Sequence, residues 1–194
     1  KKLLIAGAAL LLLKTTGAQE NTDWKKYTEV LKKTIYNDYK GMFKEAGESL
    51  KYPFVTPGSS QYVDQLWDWD SWLSNIAVRQ ILLESATDKD RQDAVKYEQG
   101  CILNFLSYSG TDGWIPIVAG RKQDALSMKP KDIYTTNMHK PCLAQHAAFL
   151  VSQNKGDAKW LTDKFYHLQT FVNNYVNHHR DRATGLYFWQ NDAG

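Results

Sequence analysis

Apolar residues recur every three or four positions in five separate segments of this chain, and that spacing marks one face of an α-helix. Long loops rich in glycine, proline and polar residues separate the segments. A strand is predicted only over residues 186–189. The periodic residues are Trp24, Tyr27, Leu31, Ile35, Tyr39 and Phe43; Trp72, Ile76, Leu82 and Leu83; Ala94, Cys101, Phe105 and Tyr108; a segment opened by Pro141; and Trp160, Phe165, Leu168, Val172 and Tyr175. The sequence therefore predicts an all-α fold.

Residues 1–18 have the layout of a secretory signal peptide. Two lysines precede an apolar run over residues 3–13, and small residues end at Ala18, so cleavage is predicted between Ala18 and Gln19. The apolar run is shorter than the ~20 residues that a membrane-spanning helix needs. We therefore expect residues 19–194 to act in the periplasm or outside the cell, without a membrane anchor.

Charge and motif content exclude several classes of function. The formal net charge is +3 at pH 7, and the segment 1–18 carries three lysines and no acidic residue, so the remainder is neutral. A neutral chain offers no basic surface for nucleic acid. The sequence contains no CxxC, P-loop, GxGxxG or GxSxG motif, so no metal, cofactor or serine nucleophile is predicted.

The chain has two cysteines, Cys101 and Cys142, which are too few for a disulfide framework. In an oxidising compartment they can pair with each other. The alternative, which we favour, is that both are buried residues of helices, since free cysteine is among the most buried residue types.

The histidines do not form a metal-binding pattern. His139 and His146 are seven residues apart and have no carboxylate or cysteine at ligand spacing, so we expect them at the surface. His178 and His179 are adjacent and would point about 100° apart on a helix. They are predicted to lie at a solvated helix end, where cations interact favourably with the helix dipole.

The densest cluster of tryptophan and aspartate lies where a loop enters the second helical segment. If this approach is extended, Asp68 and Asp70 share one side and Trp67 and Trp69 the other. An indole offers a flat face to the C–H groups of a pyranose, and a carboxylate accepts hydrogen bonds from adjacent hydroxyls. The cluster is typical of a saccharide site, and equally of a helix capped by Asp70 or Ser71 with tryptophans in the core.

Four blocks of sequence resemble motifs of one group of enzymes. Trp69-Asp70-Ser71-Trp72 resembles the Trp-Asp-aromatic signature of the (α/α)₆-barrel glycoside hydrolases of families 63 and 37. The blocks that follow in the same order are Asp112-Gly113-Trp114-Ile115-Pro116, Lys140-Pro141-Cys142-Leu143-Ala144, and Gly156-Asp157-Ala158 with the later Tyr175 and His178-His179-Arg180-Asp181. The resemblance runs from about Tyr52 to the end of the chain. It implies that residues 19–194 form the N-terminal portion of such a domain, a partial (α/α)₆ toroid of antiparallel helical hairpins.

The resemblance to family 63 implies an exo-acting α-glycosidase. Such an enzyme hydrolyses α-glucosyl or related linkages of an oligosaccharide or glycoside with inversion. The resemblance places Trp69 and Asp70 in the subsite for the non-reducing sugar, and Trp114 with residues 137–140 at the mouth of the same cavity. With the adjoining indole and carboxylate, the predicted substrate-binding residues are Trp67, Asp68, Trp69, Asp70, Trp114, Asn137 and Lys140.

This chain departs from the family 37 trehalases at two positions, so trehalase is the alternative function and not the favoured one. Those enzymes carry Pro-Asn-Gly where this chain has Pro116-Ile117-Val118, and an arginine roughly where Asn137 lies. Both positions contact sugar in that family. An alternative from another class is a non-catalytic carbohydrate-binding or interaction module.

Inverting hydrolysis needs a carboxylic acid and a carboxylate roughly 6.5–9.5 Å apart on opposite sides of the sugar. In the resembling families the acid lies in a Gly-containing loop shortly beyond the segment that corresponds to residues 187–192, and the base comes from the last third of the barrel. Both are therefore expected beyond Gly194. Asp192 is a candidate acid within the chain, although it falls a few residues too early. We expect this chain not to hydrolyse glycosides by itself.

Overall fold

The computed structural model describes residues 23–58, 60–121 and 138–188. The predicted signal peptide, Asn137 and Asp192 lie outside these ranges. The chain divides into two units, Lys1–Asp38 and Tyr39–Gly194. In the first unit, residues 23–38 are helical and are called α1.

The first helical segment is shorter than predicted. It was expected to reach Phe43, but α1 ends at residue 38, residues Tyr39–Met42 form a 3₁₀ turn, and β1 occupies Phe43–Lys44. Phe43 instead pairs with Val55 of a neighbouring strand. Its ring stacks on Tyr97 with 4.4 Å between the centroids. A residue that pairs in a strand cannot also belong to a helix, so the helix cannot continue to Phe43.

The described part of the second unit is mainly helical, as the sequence predicts. Its α-helices are α2 Asp68–Ser85, α3 Asp88–Ser107, α4 Leu143–Gln153 and α5 Phe165–His178. A 3₁₀ helix, Lys159–Lys164, precedes α5 and contains Trp160, which the apolar periodicity had assigned to the fifth helix.

Two residues, Ala86 and Thr87, connect α2 to α3, which makes these helices a hairpin. The Thr87 hydroxyl oxygen accepts the backbone N–H of Asp90 (3.1 Å) and so caps the start of α3. The Arg91 guanidinium donates to the carbonyl oxygens of Leu82 (3.0 Å) and Ala86, which lie at the end of α2. Side chains therefore satisfy backbone groups at both helix ends of the hairpin.

The fourth helix begins slightly later than predicted. Pro141 was expected to occupy its first turn, but α4 begins at Leu143. The backbone N–H of Cys142 donates to the carbonyl of Lys140 (2.7 Å), which closes a turn at Pro141. The first bond of helical spacing runs from the His146 N–H to the Cys142 carbonyl (2.9 Å).

In the part of the chain that the structure describes, four short strands were not predicted from the sequence. They are β1 with its antiparallel partner β2 Phe54–Val55, and β3 Gln65–Trp67 with its antiparallel partner β4 Val118–Gly120. In the predicted strand at 186–189, the described residues contribute only an isolated bridge between Tyr187 and Arg180. Strands of two or three residues are too short for alternation of apolar and polar residues to reveal them.

The core of the second unit lies between the helices and the two strand pairs. Residues from several elements are fully buried in it, among them Leu66 of β3, Phe105 of α3, Leu150 of α4 and Phe171 of α5. Gly100 lets α3 approach the chain before β2, because a Cβ at this position would lie 1.7 Å from the carbonyl oxygen of Pro53.

Both cysteines are free, and the expectation that both are buried residues of helices is confirmed for Cys101 but not for Cys142. Cys101 is buried in α3, and Cys142 is half-buried just before α4. The Cys101 sulfur accepts the backbone N–H of Val55 (3.2 Å). Burial raises the pKa of both thiols to about 12, so neither is a reactive thiolate at neutral pH.

The expectation that the histidines are solvated is wrong for His139, His146 and His179, which are all buried. Each of the first two has a hydrogen-bond partner inside the fold: His146 Nε2 lies 2.7 Å from Asn75 Nδ2, and His139 Nδ1 lies 2.7 Å from the Lys140 carbonyl oxygen. Burial lowers the pKa of His146 to about 3, and repulsion from His139 adds to this. The sequence analysis considered the spacing of these histidines only as a pattern for metal binding. It did not consider hydrogen-bond partners inside the fold.

Candidate functional site

A cleft of about 170 Å³ opens at the N-terminal end of α2. The loop before β3, the junction of β3 with α2, and the chain before α4 meet there. The backbone N–H of Asp68 donates to the carbonyl of Ile117 (3.0 Å), which holds the start of α2 beside β4. The cleft is lined by Pro57, Tyr62, Trp67, Asp68, Trp69, Asp70, Ile117 and Lys140.

The cleft brings together five of the predicted substrate-binding residues, namely Trp67, Asp68, Trp69, Asp70 and Lys140. The expectation that the indoles and carboxylates lie on opposite sides is wrong. Because α2 begins at Asp68, the backbone is extended only as far as Trp67 (φ −102°, ψ 148°). Beyond it each residue turns about 100° around the helix axis, so the alternation of an extended chain does not apply. Trp67, Asp68, Trp69 and Asp70 all line the cleft.

Asp68 is the buried carboxylate of the cleft, with 1% of its surface exposed. Its Oδ2 accepts the backbone N–H of Lys140 (2.9 Å) and lies 3.8 Å from the ammonium of the same residue. Its Oδ1 is buried without a hydrogen-bond partner among the described residues. The main contacts of Asp68 are therefore with the protein, and it anchors Lys140 at the cleft.

Trp69 and Asp70 are the accessible members of the cluster. Trp69 is 49% exposed, and Asp70 is half-buried. Burial raises the pKa of the Asp70 carboxyl, and the negative charge of Asp68 raises it further. The Lys140 ammonium lies 4.7 Å from the centroid of the Trp69 ring, within the range of a cation–π contact. An indole and a carboxylate thus stand next to each other at the open side of the cleft.

The helix-cap interpretation of this cluster does not hold. The N-cap residue of α2 is Trp67, which makes no side-chain capping bond, and both aspartates lie within the first turn. The Ser71 hydroxyl donates to the carbonyl of Asp68 (2.8 Å) rather than accepting an N–H. The carboxylates still interact favourably with the N-terminal end of the helix dipole, but neither Asp70 nor Ser71 is the cap.

One wall of the cleft is aromatic. The rings of Tyr62 and Trp67 meet edge to face, with 5.6 Å between their centroids. The indole N–H of Trp67 donates to Oε1 of Gln65 (2.8 Å), and the Thr56 hydroxyl donates to the carbonyl of Tyr62 (2.6 Å). The first bond holds the Trp67 indole, and the second holds the backbone at Tyr62, whose ring packs against that indole.

Trp114 does not line the cleft, which corrects the prediction made for it. It is fully buried in the core. Gly113 has a positive φ (73°), and a Cβ there would lie 2.4 Å from the carbonyl oxygen of Thr170 in α5. The backbone N–H of Trp114 donates to Oδ1 of Asp112 (3.1 Å). This tight turn against α5 directs the following indole inward.

Three lining residues, Pro57, Tyr62 and Ile117, were not among the predicted substrate-binding residues, although the comparison with trehalases had marked the position of Ile117 as one that contacts sugar. Tyr62 carried a weak signal, as an aromatic residue in the loop that leads to the Trp-Asp cluster. Ile117 reaches the cleft because Trp67 pairs with Val118 in the β3–β4 register. That pairing joins residues about fifty positions apart, and the apolar pattern of either segment alone does not indicate it.

The described residues contain no group of three or more His, Cys, Asp or Glu side chains arranged to hold a metal ion. In the same ranges, none of the helices combines the length and apolar character needed to cross a membrane. The chain matches no profile of a known protein family and no curated protein.

The cleft itself is suited to stacking a ring on Trp69 while Asp70 accepts hydrogen bonds from it.

Proposed function

We propose that this chain binds a saccharide in the cleft at the start of α2, and that it is the sugar-binding part of an exo-acting, inverting α-glycosidase. The observation that carries the proposal is the adjacent pair of Trp69 and Asp70 on the open side of a small cleft. A partly exposed indole next to a partly exposed carboxylate matches the two faces of a pyranose, one of C–H groups and one of hydroxyls.

The size of the cleft supports an exo-acting function. Its volume of about 170 Å³ is below the roughly 300–1,000 Å³ of pockets for drug-sized ligands. A cleft of this size suits one sugar ring at the end of an oligosaccharide better than several consecutive rings.

Ile117 favours the family 63-like function over a trehalase. It lines the cleft beside Asp68, at the position where the trehalases that the sequence resembles carry a sugar-contacting asparagine. An isoleucine can pack against a sugar ring but cannot donate or accept a hydrogen bond through its side chain. We therefore propose α-glucosyl or related linkages as the substrate class, with trehalose as a test case.

The helices are compatible with part of an (α/α)₆ toroid. The pair α2 and α3 forms a hairpin with a two-residue connection, and α4 and α5 follow one another through a short 3₁₀ helix. The two-residue connection between α2 and α3 is of the length that joins antiparallel neighbours. We propose that the toroid includes further hairpins contributed by the rest of the catalytic domain.

We propose that the catalytic carboxyl groups are not the aspartates of the cleft. Asp68 is already bound to Lys140. Asp70 would contact the sugar ring that stacks on Trp69, and it cannot by itself supply the two carboxyl groups that inversion needs on opposite sides of the sugar. By the family resemblance, the acid and base follow Gly194, with Asp192 as the candidate acid within the chain. The chain would then bind saccharides without hydrolysing them. We also propose that its exported form begins at Gln19, after cleavage of the signal peptide.

Calorimetric titration with a panel of disaccharides tests the proposal. The panel comprises maltose, isomaltose, nigerose and trehalose, with β-linked cellobiose as the control. Binding of one or more α-linked disaccharides, without release of glucose, is the expected result. Failure of every saccharide to bind would refute the proposed function, and strongest binding of trehalose would replace it by the trehalase alternative.

A further inference from the structure

The backbone at Lys140 is fixed from three directions before its side chain is considered. The preceding residue, His139, donates its backbone N–H to the carbonyl of Ile115 (2.7 Å) and accepts the Tyr175 hydroxyl on its own carbonyl (2.7 Å). The Lys140 N–H donates to Oδ2 of Asp68 (2.9 Å). Lys140 is thus tied to the chain before β4, to α5 and to the first turn of α2.

The side chain of Lys140 turns back toward the same aspartate. Its ammonium lies 3.8 Å from Oδ2 of Asp68 and 4.7 Å from the centroid of the Trp69 ring, and 15% of the side chain is exposed. The ammonium therefore lies between a carboxylate and an indole face. Both contacts favour the same placement of the charge.

We propose that Lys140 is a positioning residue of the saccharide site, whose ammonium, held by Asp68, covers one face of the Trp69 indole and presents the opposite face to the sugar. The proposal rests on the proposed function, since it assigns the uncovered face to the saccharide. Trp69 is the second residue of α2 and is 49% exposed, so about half of its surface remains accessible to a ligand. A ring that is held before binding costs less ordering entropy when the sugar stacks on it.

Two substitutions separate this function from a direct contact between Lys140 and the sugar. Lys140→Met keeps the aliphatic stem but removes the charge over the ring. Lys140→Arg retains a cation, and a guanidinium also stacks on aromatic faces. The charge of Lys140 also lowers the pKa of Asp70. For this reason the ring is observed directly, and without ligand, before any affinity is compared.

The experiment is ¹⁹F NMR of the purified protein labelled with 5-fluorotryptophan, with the Trp69 signal assigned by Trp69→Phe. We expect Lys140→Met to shift and broaden the Trp69 signal in the absence of saccharide, and Lys140→Arg to restore it. We also expect Lys140→Met to weaken maltose binding roughly tenfold, with Lys140→Arg close to the wild type. If Lys140→Met does not fold, Asp68→Asn/Lys140→Met removes both charges and tests the same shift.

An unchanged Trp69 signal in Lys140→Met would overturn the proposal. Loss of maltose binding with an unchanged signal would assign Lys140 to direct contact with the sugar instead. A shifted signal with unchanged affinity would also overturn it, because the held ring would then not serve the ligand. If the wild type binds no saccharide of the panel, the proposed function fails, while the ligand-free signal still shows whether Lys140 holds the ring.

Discussion

Asp68 Oδ2 accepts a hydrogen bond of 2.9 Å from the backbone N–H of Lys140, which lies 72 residues further along the chain. The bond joins the first turn of α2 to the segment that enters α4, and the ammonium of Lys140 neutralises the buried carboxylate. One aspartate thus connects two distant parts of the chain at the edge of the cleft. The stability of this junction can be measured apart from ligand binding.

Replacing Asp68 with alanine removes both contacts with Lys140. We expect the free energy of unfolding to fall by about 3 kcal/mol, as for other buried charged pairs that lose one partner. Asp68→Asn keeps an oxygen for the Lys140 N–H, so a smaller loss of about 1–2 kcal/mol is expected. Urea denaturation measures both. Asp93→Ala, which removes an exposed pair with Lys89, is the control and should change stability little. If Asp68→Ala and Asp93→Ala lowered the free energy of unfolding equally, Asp68 would not stabilise the junction with Lys140.

Arg79 and Glu98 form a second buried junction, between α2 and α3. Nε of Arg79 donates to Oε1 of Glu98 (3.0 Å), a second bond joins Nη2 to Oε2, and both side chains are buried. Glu98→Gln and Arg79→Met should each cost about 3–5 kcal/mol, because each leaves one buried charge unpaired. The double variant Arg79→Met/Glu98→Leu should cost clearly less than the sum of the two. Additive losses in a double-mutant cycle would show that the pair is not coupled.

Buried His146 makes stability depend on pH. In the unfolded chain a histidine is protonated below its ordinary pKa of 6.5, whereas burial keeps His146 neutral in the fold down to about pH 3. Its contribution is therefore complete above about pH 6.5 and is lost as the pH falls toward 3. Between neutral pH and about pH 5 the expected loss from this residue is about 2 kcal/mol. His146→Gln should reduce the slope of unfolding free energy against pH. An unaltered slope in His146→Gln would contradict this.

Trp114 and Trp69 should respond in opposite ways to the same substitution. Trp114 is fully buried, so Trp114→Ala should cost about 3–5 kcal/mol of stability through the cavity that it leaves. Trp69 is 49% exposed, so Trp69→Ala should cost much less and should abolish disaccharide binding. Thermal unfolding and calorimetric titration of both variants provide the measurements. If Trp114→Ala were as stable as the wild type but did not bind saccharide, Trp114 would be a substrate-binding residue after all.

The helices of the second unit could be predicted because their apolar residues repeat over many turns. Phe105 in α3 and Leu168 in α5 are buried where their periodicity placed them. The strand pairs could not be predicted, since β1 and β2 have two residues each and their pairing depends on contacts such as Phe43 with Tyr97. Phe43 has helical spacing from Tyr39, and only the partner across the fold shows that it belongs to a strand.

The site was predictable where its residues are consecutive and unpredictable where distant segments meet. Trp69 and Asp70 adjoin each other in the sequence and at the cleft. Trp114 has the same residue type as a sugar platform, but the turn at Gly113 against Thr170 directs it into the core. That outcome depends on how α5 packs, which no local motif encodes. Asp68 is likewise buried and Asp70 only partly so, and the contact of Asp68 with Lys140 joins residues 72 positions apart.

Disaccharide binding by Asp70→Asn tests the central claim most directly. The substitution keeps the size of the side chain but removes the charge that accepts two sugar hydroxyls, so we expect affinity for the bound α-linked disaccharide to fall roughly tenfold or more. The thermal midpoint should stay close to that of the wild type, because Asp70 caps no helix. Asp163→Asn, an exposed aspartate before α5, is the matched control and should bind as the wild type does. A lowered midpoint with undiminished saccharide affinity in Asp70→Asn would contradict the assignment of this cleft as a saccharide site.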